Sequence, residues 1–120
     1  GSDLDLEVYN SAFALIGSSG GATSQEEVNF LNLPAGQYYV LVVGYAAPAP
    51  TADYTLFTWL LGSTDAGNMA VTAPTAATTG ATGNIGLAFT GLTPGMKYLG
   101  SVAYGGAAGM PNPTIVRVDP

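Results

Sequence analysis

The sequence predicts an all-β protein, an antiparallel β-sandwich of the jelly-roll or immunoglobulin-like type, built as one sandwich or as two small packed β subdomains. Three observations support this prediction. Helical periodicity is nearly absent, Gly and Pro interrupt the chain about every ten residues, and short β-branched and aromatic runs lie between them. A length of 120 residues suits one compact domain or two very small ones.

Short apolar runs predict nine strands. They are expected at residues 3–9, 12–16, 26–32, 37–45, 53–60, 68–73, 84–90, 97–105 and 113–118. Strands of this length and spacing are typical of sandwiches and barrels. The Ala/Thr/Gly-rich stretch 72–83 is predicted to be a loop or a weak edge strand.

The first predicted strand alternates between apolar and acidic residues, which indicates one face toward a core and one face toward water. The apolar positions are Leu4, Leu6 and Val8, and the acidic positions are Asp3, Asp5 and Glu7. In the third run, Val28 and Phe30 are expected to point inward. A turn is expected at residues 33–36, because Pro34 fixes its own φ and Gly36 tolerates a positive one.

Two later runs are apolar on both faces. In the first run, inward-pointing Tyr38, Val40 and Val42 imply that Tyr39, Leu41, Val43 and Tyr45 point outward. In the second run, inward-pointing Tyr54 and Leu56 imply that Phe57 and Trp59 point outward. A sheet that is apolar on both faces needs a cover on each. Residues 62–120 are the expected cover; the alternatives are an exposed aromatic surface for a polymeric ligand and a contact with a neighbouring domain or subunit.

Composition changes after residue 61. Residues 62–67 form a polar hinge, and the aromatic residues fall from nine in the first sixty positions to three in the second sixty. We therefore predict two parts, a β-sandwich portion at 1–61 and a β tail at 62–120 packed against it. The turn at 91–95 resembles the one that precedes the tyrosine-bearing strand of immunoglobulin-like and fibronectin-like modules.

Charge excludes several classes of partner. Charged residues make up 8% of the chain, and Lys97 and Arg117 face eight carboxylates, for a net charge of −6. The chain therefore lacks the cations that bind nucleic acid or anionic membranes. A weakly charged, acidic sequence without cysteine is typical of bacterial extracellular proteins, so we expect a secreted protein.

Catalysis within this chain is not expected. There is no histidine, so a Ser-His-Asp triad cannot be assembled from its own residues. Asp3, Asp5 and Glu7 lie on one solvated strand face, with no apolar pocket to raise the pKa of one of them. The chain is therefore predicted not to be an enzyme in its own right.

Calcium is the metal that the acidic residues could hold. Asp3 and Asp5 emerge on the same strand face about 7 Å apart. A hard cation could bridge them, together with Asp53 or Glu26 if those residues lie nearby. The alternative, which we favour, is a solvated strand face that keeps the protein soluble, so that no cofactor is required.

Four aromatic residues are candidates for ligand binding: Tyr39, Tyr45, Phe57 and Trp59. Aromatic rings stack on sugars and pack on collagen-like chains. Trp59 has an alternative role, because a single tryptophan just before a hinge is well placed to hold two parts of a protein together.

The order of several segments gives a family resemblance. Residues 3–60 resemble the bacterial pre-peptidase C-terminal domain, a β-sandwich appended to many secreted proteases. The segments that carry the resemblance are Asp3-Leu4-Asp5-Leu6-Glu7-Val8-Tyr9, Ser18-Ser19-Gly20-Gly21, Glu26-Glu27-Val28, Pro34-Ala35-Gly36-Gln37-Tyr38-Tyr39-Val40-Leu41-Val42 and Asp53-Tyr54-Thr55-Leu56. Residues 80–83 and 97–104 resemble the tail that follows this domain in subtilisin-like proteases.

The resemblance implies a C-terminal appendage of a secreted subtilisin-like serine peptidase, with the peptidase domain of the same parent chain as its partner. Related modules in bacterial collagenases depend on calcium. The family pattern has further strands ahead of the acid-flanked one, so the sandwich is expected to be completed by residues 62–120 or by another chain.

Three functions remain open from the sequence. The first is an accessory module that aids the stability, targeting or secretion of the peptidase. The second is a module that binds insoluble protein, such as collagen or keratin, or polysaccharide. The third is a surface adhesin unrelated to proteases.

Overall fold

A computed structural model describes residues 1–47, 50–106 and 108–120. It contains seven strands in this part of the chain: β1 (Asp3–Asn10), β2 (Leu15–Ser19), β3 (Tyr38–Ala46), β4 (Met69–Thr72), β5 (Gly86–Phe89), β6 (Tyr98–Val102) and β7 (Thr114–Val118). Every pairing is antiparallel. The all-β prediction is confirmed, and the small sheets are consistent with a sandwich-like fold. The residues described include no helix that could cross a membrane.

The chain divides into two compact units. Unit 1 is Gly1–Leu56 and unit 2 is Phe57–Pro120. Residues 57–61, which the sequence pattern groups with the first part, belong to unit 2. Unit 1 carries six carboxylate side chains and no Lys or Arg, whereas unit 2 carries two side chains of each sign.

Unit 1 is built on a three-stranded sheet of order β2-β1-β3. Residues directly opposite in an antiparallel pair share a face, so Val8, opposite Val40, lies on the same face as Leu6, opposite Val42. Leu4 and Val8 are the two buried hydrophobic side chains among the residues described. The predicted inward face of the first strand is therefore confirmed, and it is the core of this unit.

The segment 26–32 is not a strand, so that prediction is wrong. The Glu26 side chain accepts hydrogen bonds from the Ser19 hydroxyl and, at 2.8 Å, from the Gly21 amide, which holds the segment as a loop beside β2. Asn32 takes a positive φ of 55°, which a strand does not accommodate. Val28 and Phe30 nevertheless pack over Gly17, so both contact the sheet as predicted, although Phe30 is 37% exposed.

The predicted strand at 53–60 is also wrong. In the described part of the chain β3 pairs with β1 alone, so residues 53–60 have no backbone ladder despite their alternating pattern. The predicted inward orientation of Tyr54 and Leu56 is wrong as well, because both side chains are exposed. An alternating pattern makes a segment compatible with a β-sheet, but a strand forms only where a neighbouring strand is available to pair with it.

A turn at residues 10–14 displaces the second strand toward the C-terminus. The Asn10 side-chain oxygen accepts hydrogen bonds from the amides of Ala12 and Ala14, both at 3.0 Å. Phe13 sits at the tip with a φ of 58°. The strand predicted at 12–16 therefore begins at Leu15, since Asn10 closes an Asx-type turn first.

Unit 2 contains two antiparallel pairs, β4-β5 and β6-β7. Residues 73–85 carry no strand, so the stretch at 72–83 is a loop after its first residue. Met69 packs on β6, since its Cε would lie 3.6 Å from a Cβ at Gly100. The strand predicted at 97–105 ends at Val102.

The turn ahead of β6 is held by the tyrosine that opens the strand. Gly91 and Gly95 take positive φ values of 67° and 82°, which glycine adopts without strain. The Thr93 amide donates a 3.0 Å hydrogen bond to the Tyr98 hydroxyl. This donation favours the phenolate, so the pKa of Tyr98 is lowered.

Candidate functional site

Phe57 and Trp59 lie side by side at the start of unit 2. Their ring centroids are 6.0 Å apart and their planes differ by 16°. Phe57 is 50% exposed, and Trp59 is half-buried. The Trp59 indole N–H donates a 3.1 Å hydrogen bond to the Lys97 carbonyl, which fixes the orientation of the ring. We call these two residues the aromatic pair.

Both cations of the chain lie close to one carboxylate. Lys97 Nζ is 3.6 Å from Asp119 Oδ1, and Arg117 Nη2 is 3.3 Å from Asp119 Oδ2. The β6-β7 register explains the first contact. Tyr98 is opposite Val118, so Lys97, which precedes β6, lies opposite Asp119, which follows β7. The Lys97 ammonium also lies over the Phe57 ring, 5.4 Å from its centroid, in a cation–π contact.

The aromatic pair and these charged groups form a mixed surface. Nearly parallel rings offer flat apolar area to a ligand, and Lys97, Arg117 and Asp119 add donors and acceptors beside it. Such a surface can stack on the C–H face of a sugar ring or pack on a polypeptide chain. Lys97 and Asp119 carry no sequence signal for this role, because contacts between segments far apart in the chain place them here: the Trp59–Lys97 hydrogen bond and the β6-β7 pairing.

The other two predicted aromatic residues belong to unit 1. Tyr39 stacks on Phe13, with centroids 4.4 Å apart and planes 16° apart, and is itself half-buried. Tyr45 is 76% exposed. It lies at a bulge, because Ala46 is opposite Asp3 while Gly44 is opposite Leu4, which leaves Tyr45 as the extra residue.

Phe13 is an aromatic residue that the sequence pattern did not single out. It is exposed and supports the Tyr39 ring from the turn at residues 10–14. The available signal was Asn10, a residue type that often closes such a turn through its side-chain oxygen. Unit 1 therefore presents its own stacked pair, Phe13 and Tyr39.

The acidic side of β1 crowds several carboxylates together. Burial raises the pKa of Asp5 above its ordinary value of 3.8, and the charges of Asp3, Glu26 and Glu7 raise it further. The charge of Glu26 thus acts on Asp5, whereas Asp53 is not among the residues that shift its pKa. Glu7 also accepts a 2.5 Å hydrogen bond from the Tyr9 hydroxyl, and this raises the pKa of Tyr9.

Calcium fits this side of the strand only in part. Asp3 Oδ1 and Asp5 Oδ1 are buried and accept no hydrogen bond, which is the state of an oxygen available to a cation. Calcium takes about six to eight oxygen ligands, however. The residues described contain no group of three or more metal-ligating side chains arranged around one point. A calcium site at Asp3 and Asp5 therefore stays a prediction.

No family model, curated protein or solved structure matches the chain. The structure defines the class of the protein as all-β, with small antiparallel sheets.

Proposed function

We propose that this chain is a non-catalytic accessory module of a bacterial, secreted subtilisin-like serine peptidase, and that it holds the peptidase on an insoluble substrate. The proposal combines two kinds of support. The order of segments in residues 3–60 resembles the pre-peptidase C-terminal domain. The exposed aromatic side chains of both units favour a binding role over a purely structural one.

The aromatic pair is the observation that carries the binding role. Burying a phenylalanine side chain stabilises a protein by about 1.5–3 kcal/mol, so a structural appendage gains by covering its large apolar residues. Phe57 is instead 50% exposed, beside a tryptophan whose ring is held nearly parallel to it. Exposed apolar groups that lie together are typical of ligand-binding surfaces.

The chemistry of the site indicates the class of ligand. Aromatic rings contact flat apolar surfaces, such as the C–H face of a sugar or the ring of a proline. Lys97 lies over the Phe57 ring, and together with Arg117 and Asp119 it is able to hydrogen-bond hydroxyls and peptide groups beside the aromatic pair. Insoluble polysaccharide and fibrous protein, such as collagen or keratin, offer both kinds of group in a repeating array.

Phe57→Ala is the variant that tests the proposal. Phe57 makes no hydrogen bond among those identified, whereas Trp59 holds the Lys97 backbone and its removal would disturb the fold. Leu60→Ala is the matched control, because Leu60 is 99% exposed and its truncation also removes apolar surface nearby. Circular dichroism and thermal melting establish that both variants are folded.

The assay is retention of the purified chain on insoluble collagen, keratin, chitin and cellulose. We expect the wild type and Leu60→Ala to bind at least one of these polymers with equal affinity. Phe57→Ala should raise the Kd about tenfold, since truncating an aromatic anchor costs on the order of 1.4 kcal/mol. No retention on any polymer, or equal retention of both variants, would contradict the binding role.

The parent protein is tested separately by the sequence that precedes residue 1 in the gene. We expect a Gly-Thr-Ser-x-Ala-like serine motif there, as in subtilisin-like peptidases. An upstream sequence without a peptidase would favour a surface adhesin instead.

A further inference from the structure

The outer edge of β3 is long and uncharged. The strand runs for nine residues, Tyr38–Ala46, and contains neither a charged residue nor a proline. It is the last strand of its sheet, and nothing in the described part of the chain pairs with its second edge. An edge strand of this length usually carries a charge, a proline, a bulge or a cover, because its free N–H and C=O groups accept another strand. β3 has a bulge at Tyr45, near its C-terminal end, and is regular from Tyr38 to Gly44.

The side chains of β3 are also open on both faces of the sheet. Val40 and Leu41 are adjacent and therefore point to opposite faces, yet they are 43% and 41% exposed. The strand thus offers a partner a backbone edge together with apolar side chains above and below it.

The accessible surface of the chain is larger than that of two separate compact units of the same mass. The total is 9,076 Å². Two separate globular units of about 6 kDa each would expose about 7,300 Å² together, and contact between them would only lower that figure. The excess of roughly 1,800 Å² is more than the ~800 Å² per partner that a standard protein interface buries.

We propose that β3 pairs antiparallel with β3 of a second copy of this chain, giving a continuous six-stranded sheet. An antiparallel pair of identical strands has two-fold symmetry, so one edge serves both copies and the assembly closes as a dimer. Val42, the central residue of the strand, then lies near the two-fold axis, and Leu41 of each copy faces Val43 of the other. No like charges meet across this pairing.

The opposite edge of the sheet is a poorer candidate. β2 has five residues, and its Gly17 lies under the loop that carries Val28 and Phe30. This edge is therefore short, with five residues against nine in β3, and the loop that packs on Gly17 covers a face of β2.

Charge repulsion is weak enough to allow the dimer at physiological salt. The acidic β1 strands of the two copies would be separated by three strand spacings, or about 14 Å. This distance exceeds the Debye length of about 8 Å at 0.15 M salt but not that of about 30 Å at 0.01 M. The dimer should therefore weaken as salt is removed.

Sedimentation equilibrium at 10–200 μM protein in 150 mM NaCl tests the proposal. We expect a mass twice the 12.1 kDa of the chain, falling toward the monomer mass in 10 mM NaCl. A monomer mass at every concentration would overturn the proposal. A mass that grows beyond the dimer would overturn the two-fold pairing, because an open assembly needs two different edges.

The double variant Leu41→Lys/Val43→Lys locates the interface. Leu41 is opposite Glu7 and Val43 is opposite Asp5, so each new lysine gains an acidic neighbour within its own sheet and unit 1 should stay folded. In the dimer, the lysines of one copy would face those of the other. Leu60→Lys/Leu61→Lys adds the same charge at exposed positions of unit 2 and is the matched control.

We expect the β3 variant to be monomeric at 200 μM and the control to remain dimeric. A dimeric β3 variant would overturn the proposal, as would a control that dissociates equally. Hydrogen exchange gives an independent readout: amides of residues 38–46 should exchange more slowly at 200 μM than at 5 μM in the wild type and in the control, but not in the β3 variant. Unchanged β3 exchange in a dimeric wild type would place the interface elsewhere and refute the pairing.

Discussion

Gly17 is the position where unit 1 is least able to accept a larger side chain. It lies in β2, opposite Val8, and a Cβ built there would lie 2.7 Å from Phe30 Cζ and 2.9 Å from Val28 Cγ1. Both separations are far below the 3.5–4.0 Å at which carbon atoms attract each other. Gly17→Ala must therefore displace the loop that covers the core face of the sheet.

The expected cost follows from two opposing effects. Overpacking a filled site costs about 1–3 kcal/mol, and the branched Val28 side chain has little freedom to move aside. Replacing glycine in a strand interior by alanine returns about 0.5–1 kcal/mol, because the unfolded chain loses conformational freedom. We expect Gly17→Ala to lower the free energy of unfolding of unit 1 by about 1–2 kcal/mol.

Gly44→Ala is the control. Gly44 lies in β3 of the same sheet, and a Cβ there would meet nothing within 4 Å. This variant should be neutral or stabilised by up to about 0.5–1 kcal/mol. Urea unfolding followed by far-UV circular dichroism measures both variants, and in thermal melts the Tm of Gly17→Ala should fall by about 5–10 °C.

The reasoning is refuted if Gly17→Ala is as stable as Gly44→Ala, because the loop would then not rest on β2. A second measurement identifies the obstacle. In a Phe30→Leu background, Gly17→Ala should cost about 0.5–1 kcal/mol less than in the wild type, since the tip of the ring is gone.

Two further predictions concern the acidic side of β1. The pKa of Asp5 is raised above 3.8, so the folded state binds a proton on this carboxylate more tightly than the unfolded chain does. The Tm of unit 1 should therefore rise as the pH falls from 7 through the folded pKa of Asp5. This increase in Tm should be complete below pH 3.8. Asp5→Asn should raise the Tm at pH 7 and reduce this pH dependence, and a lower Tm for the variant at pH 7 would contradict the assignment. EGTA should leave the Tm of the wild type unchanged, because Asp3 and Asp5 provide far fewer oxygens than a calcium ion takes. A fall in Tm of several degrees would instead reveal a bound calcium ion. In that case Asp3→Asn and Asp5→Asn should each abolish the effect of EGTA.

The sequence predicted those elements whose signal is local. The alternation over residues 3–9 correctly identified β1, its apolar face and the buried Leu4 and Val8. The run at 37–45 identified β3, and the turn glycines Gly91 and Gly95 take the positive φ that their residue type allows. Period-two patterns and turn residues act over a few positions, so they can be read without knowing the fold.

The sequence predicted the aromatic residues of the candidate site but not the charged residues that lie beside them. Residue type predicts Phe57 and Trp59 as candidate ligand-binding residues, because exposed aromatic rings bind ligands. Lys97 and Asp119, which complete the site, lie 38 and 60 residues beyond Trp59. The Trp59 indole donates its hydrogen bond to the Lys97 carbonyl, and the β6-β7 pairing brings Asp119 to Lys97. A pairing between distant strands leaves no local pattern in the sequence.

The sequence by itself determined three properties of this protein: its all-β class, the residues of β1 that form a core, and its negative net charge. Tertiary structure alone decided which strand-like runs became strands. Residues 26–32 and 53–60 have the side-chain pattern of strands but remain irregular. The physical reason is that a strand is stable only when its backbone groups bond to a neighbour, and the presence of that neighbour is a non-local property of the fold.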